Sequence, residues 1–96
     1  MLTHIVLFKF KTETTPEEVT RLEAGLKALP AVIAEIREFR VGRDVVRSER
    51  SYDLALVSAF DDLAAMQRYQ MHPAHQRVVA LVKALCVGVV AVDFDT

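Results

Sequence analysis

Residues 2–10, LTHIVLFKF, carry apolar side chains at both the even and the odd positions of one short segment. Successive side chains of a strand point to opposite faces, so His4, Val6, Phe8 and Phe10 fall on one face and Ile5 and Leu7 on the other. Residues 52–60, YDLALVSAF, and 86–94, CVGVVAVDF, are likewise apolar on both sides. A sheet made of such strands must be covered on both faces.

The remaining segments decide how much of that covering the chain supplies itself. Thr15, Pro16 and Glu18 provide an N-cap hydroxyl, a proline at the first helical position and a glutamate three residues after the cap. Val19, Leu22, Leu26 and Leu29 then form one apolar stripe, which predicts an amphipathic helix ending near Leu29, before Pro30. From Ile36 to Val41, Phe39 and Val41 alternate with Glu38 and Arg40, as in an edge strand with one wet face, and Gly42 opens a polar connection through Ser51. Asp61 or Asp62 caps a short helix carrying Leu63, Met66 and Tyr69 on one side. Pro73 begins another helix, with Val78, Val79, Val82 and Leu85 as its apolar side.

The order βαββαβ without linker or repeat predicts one α+β domain over residues 1–96, a ferredoxin-like four-stranded antiparallel sheet with its helices on one face. The helix-free face stays too apolar for water. A second copy of the same chain is the simplest cover, because one self-complementary patch on a two-fold axis buries both. The expected assembly is a homodimer joined through that face.

Composition agrees with a folded core: 52% of residues are apolar and only three are Gly and three Pro. Twelve basic and thirteen acidic residues are interspersed without a basic run, which argues against a nucleic-acid partner. The N-terminal segment lacks a basic leader and is too short to span a membrane, so neither a signal peptide nor membrane association is expected. Cys86, alone in an apolar run, is expected buried and reduced, which fits a cytoplasmic protein.

The segment Tyr69-Gln70-Met71-His72-Pro73-Ala74-His75 concentrates the residues capable of chemistry. With His72 near the N-cap, His75 falls in the first helical turn, where the positive end of the helix disfavours protonation and leaves a usable base. The plainer reading is that His72 or His75 only hydrogen-bonds and packs. His4 is the one polar residue on its apolar strand face, either a hydrogen-bonded core histidine or a site residue. If its face is the one toward the helices, His4, Tyr69 and His75 would line one pocket, with Phe8, Leu26 and His72 as further ligand contacts. Asp53 and Asp93, at strand ends, are read as solvated carboxylates. His72 and His75 lack an evident third metal ligand, and the sequence holds no phosphate loop, nucleotide fingerprint, GxSxG elbow or paired CxxC. No metal and no cofactor are expected.

At these residues the chain resembles the stress-responsive dimeric α/β-barrel (Dabb) family. The matching pieces are His4 to Lys11 (HIVLFKFK), Gly42-Arg43-Asp44, Tyr52 to Phe60, Tyr69 with His72-Pro73-Ala74-His75, and Val92-Asp93-Phe94. The resemblance implies a ferredoxin-like fold dimerised into a barrel, in a family most of whose members have no established biochemical function. One plant branch, similar to olivetolic acid cyclase, closes a linear polyketide without cofactor using two histidines and two tyrosines. His4, Tyr69 and His75 match three of those positions, while Leu26 stands where the fourth, a tyrosine, would be.

Three functions follow. The first is a homodimer of unassigned activity that binds a small apolar or carbonyl-containing ligand between sheet and helices. The second is a cofactor-free acid-base enzyme in which His75 moves a proton beside a carbonyl while Tyr69 and His4 donate hydrogen bonds to the developing charge. The third, a cofactor-free monooxygenase of the related barrel type, rests on fold analogy.

Overall fold

The computed structural model describes residues 1–96. Its elements are β1 (Leu2–Phe10), α1 (Pro16–Lys27), a 3-10 turn (Leu29–Ala31), β2 (Glu38–Arg43), β3 (Leu54–Phe60), α2 (Leu63–Met71), α3 (Pro73–Leu85) and β4 (Cys86–Asp95). The sheet order is β2-β3-β1-β4 with every neighbouring pair antiparallel, the ferredoxin-like arrangement.

Local chemistry explains each helix start. Thr15 Oγ1 accepts from the Glu18 N–H at 3.2 Å and Glu18 Oε1 accepts from the Thr15 N–H at 2.9 Å, a reciprocal capping box. Asp62 caps α2 by accepting from the Ala65 N–H. His72 caps α3, its Nδ1 accepting from the Ala74 N–H at 3.0 Å.

Two boundaries differ from expectation. Helix α1 stops at Lys27, not Leu29, because Pro30 has no N–H to donate to the Leu26 carbonyl; the chain tightens into the 3-10 turn and keeps Leu29 buried. Strand β2 runs two residues later than its alternation suggests. Its register with β3, from Glu38↔Ala59 to Arg43↔Leu54, pairs Gly42 with Ala55 inside the ladder.

One face of the sheet meets the helices. Leu2, Val6 and Phe8 of β1, Leu54, Leu56 and Phe60 of β3, and Leu22, Leu26, Met66 and Tyr69 of the helices form one buried core. The opposite face has no cover within the chain: Leu7, Val90, Val92 and Phe94 are exposed, and Ile5 pairs with Val57 on one side and Val92 on the other. This makes a continuous apolar surface across three strands. Cys86 is buried and free, and burial pushes its thiol up in pKa. No helix is long and apolar enough to cross a membrane.

Candidate functional site

The inward face of β1 brings His4 under the helices, where the residue is only 6% exposed. Its backbone carbonyl accepts from Ser58 Oγ at 2.9 Å, a fully buried hydroxyl directly opposite on β3. On the other flank β4 sets Asp93 directly opposite His4, and His4 Nδ1 hydrogen-bonds Asp93 Oδ1. A carboxylate only accepts, so Nδ1 carries a proton, and Nε2 has no protein hydrogen-bond partner.

His75, at the third position of α3, is half-buried. Its Nδ1–H donates to the Gln70 carbonyl at 3.0 Å, the carbonyl that also accepts from Gln76 Nε2. The second imidazole therefore also has an unbonded Nε2. Burial holds its pKa below the ordinary histidine value; the Gln70 hydrogen bond opposes this and the His4 charge adds to it. Desolvation is the largest of these causes.

Tyr69, 1% exposed, packs against His75 with ring centroids 4.4 Å apart and against His4 at 6.4 Å. Phe60 and Phe39 wedge its ring from the sheet side. Burial raises its pKa well above the ordinary phenol value, and no protein group hydrogen-bonds its hydroxyl. It is a neutral donor at every physiological pH.

A cavity of about 380 Å³ joins these groups. His4, Tyr69 and His75 line it together with Phe8 and Leu26, so five of the residues singled out in the sequence share one space. His72 is not among the lining residues; its ring is committed to capping α3. Asp53 accepts from the Phe10 N–H and pairs with Arg47, securing the end of β1 away from the cavity. Asp93 is exposed, as a solvated strand-end carboxylate should be, but its bond to His4 was not anticipated from the sequence. The available signal was its alternation in β4 with Val89 and Ala91, both of which line the cavity.

The family model of the Stress responsive A/B Barrel Domain, Dabb, matches residues 2–96. The chain belongs to that family. As a Dabb domain it is 36% identical to an uncharacterized protein of Streptomyces coelicolor, over 99% of each chain. It is 27% identical to the stress-response A/B barrel domain-containing protein HS1 of Arabidopsis thaliana, over 95% of this chain and 85% of that one. The crystal structure of a dimeric ferredoxin-like protein of unknown function from Thermobifida fusca superposes with a TM-score of 0.90 at 32% identity, covering 99% of this Dabb domain and 90% of the other chain.

Proposed function

We propose that this Dabb domain binds a small, mainly apolar molecule bearing a carbonyl group in the cavity between sheet and helices. The supporting observation is the convergence of the Tyr69 hydroxyl and two imidazoles, each held through Nδ1 and without a protein partner at Nε2, on a mainly apolar space of ligand size. The domain works as a symmetric homodimer joined through the helix-free sheet face. The exposed Leu7, Val90, Val92 and Phe94 support this, as does the dimeric relative.

The His4–Asp93 pair favours a second reading, proton transfer on that ligand. His75 Nε2 takes a proton from the carbon beside the carbonyl, and the Tyr69 hydroxyl donates to the oxygen as negative charge develops there. A proton taken up by His4 Nε2 would make it a second donor, with Asp93 balancing the imidazolium charge. No cofactor is required by this sequence of steps.

Thermal titration with alkyl and aryl β-diketones tests the binding reading. Melting should shift upward in the native protein and remain unmoved in His75→Ala and Tyr69→Phe. If no diketone raises the melting temperature or perturbs the NMR signals of His4, Tyr69 and His75, the cavity is not a carbonyl site.

A further inference from the structure

Helix α3 faces the cavity with five residues in one stripe: His75, Val78, Val79, Val82 and Lys83. Their spacing of three, four, seven and eight keeps them on one side of the helix. The stripe is polar at its two ends and valine between. Eight residues of helix separate the ends, about 12 Å at the usual rise.

Lys83 is the only lysine, arginine or carboxylate residue lining the cavity. It takes part in none of the molecule's ion pairs. The last turn of a helix suits a lysine in any case. Such a lysine has no need to sit beside an apolar cavity, and here Val79, Val82 and Val89 surround the same space. A cation at the rim would leave the interior dry while offering a counter-charge to whatever enters.

We propose that the ligand is an elongated apolar anion, whose carboxylate or equivalent acidic group pairs with Lys83 while its other end lies beside His75 and Tyr69. This rests on the cavity being the ligand site. It adds the charge of the ligand and its direction, anionic end toward the C-terminus of α3.

Two fluorescent dyes of one scaffold test it: anilinonaphthalene sulfonate, an anion, and N-phenyl-naphthylamine, its uncharged counterpart. Both should light up on entering the cavity and compete for a single site, with the anion bound more tightly at low salt. Lys83→Met should weaken the anionic dye by roughly threefold to fivefold, the range of a partly exposed ion pair, and leave the neutral dye unchanged. Lys83→Arg should restore the difference, and high salt should abolish it in the native protein. Equal loss of both dyes in Lys83→Met, no loss of either, or failure of the dyes to compete overturns the role of Lys83 while leaving the cavity as a binding site. Should neither dye bind, the cavity reading itself falls, and the anion reading with it.

Discussion

His75 and His72, three residues apart, have been given opposite tasks by their Nδ1 atoms. His75 donates from Nδ1 to Gln70 and turns Nε2 toward the cavity, whereas His72 accepts at Nδ1 from Ala74 and closes a helix. If His75 is the base, His75→Ala should lower any turnover by about a hundredfold to ten-thousandfold with little change in melting temperature. A purely structural histidine would give the reverse. The pH dependence follows from the same burial. A folded-state pKa below the unfolded value means the unfolded chain binds more protons near and below pH ~6.5, so this group's stabilisation is present above that value and is lost as pH falls through it. Denaturation midpoints between pH 8 and about 5 should fall less steeply in His75→Gln than in the native protein. The acid limb of kcat/KM should lie below pH ~6.5, since the neutral base persists to lower pH than a free imidazole. Asp93→Asn keeps the shape of the His4 pair and removes its charge; a rate loss of about tenfold or more, with the dimer intact, is expected on the proton-transfer reading.

Helices in this small domain are anchored at their starts. Thr15 with Glu18, Asp62, and His72 each satisfy N–H groups that helix geometry leaves free. Removing one such cap should cost about 1 kcal/mol, so Thr15→Ala and His72→Ala should each unfold at lower denaturant concentration. His72→Ala should nonetheless bind ligand as the native protein does, provided α3 remains folded. Loss of binding in a folded His72→Ala variant would return that ring to the site. The strands have no such local anchors. Their limits depend on which partner they meet, which is why Gly42 lies inside β2 and the ladder runs on to Arg43.

On the scale of the whole molecule, one sheet face is paired with helices and the other is left apolar and open. Ile5, Val57 and Val92 stand side by side near the middle of that open face. A charge there cannot be buried without a partner, so Val92→Glu should convert a dimer to a monomer in sedimentation at micromolar concentration. The side chain of Val92 faces away from the cavity, so the variant also tests whether one copy alone retains ligand. A native protein that sediments as a monomer would refute the assembly.

Sequence alone determined the order of elements, the three helix starts and the two-sided character of the strands. Each is written in residues close together along the chain: a cap and its N–H, a proline and its predecessor, an alternation of side chains. His4, Tyr69 and His75 were legible as candidates because polar groups on apolar faces stand out without any knowledge of their neighbours. Tertiary structure alone decided the rest. Asp93 looks like any carboxylate near a chain end until β4 lies antiparallel to β1, when residues 89 positions apart become a hydrogen-bonded pair. Lys83 looks like any surface lysine until the valines beside it turn out to wall a cavity. His72 and His75 differ only in where the bend between α2 and α3 directs each ring. Pairing and enclosure arise from contacts between distant segments, and no local pattern encodes which segments will meet.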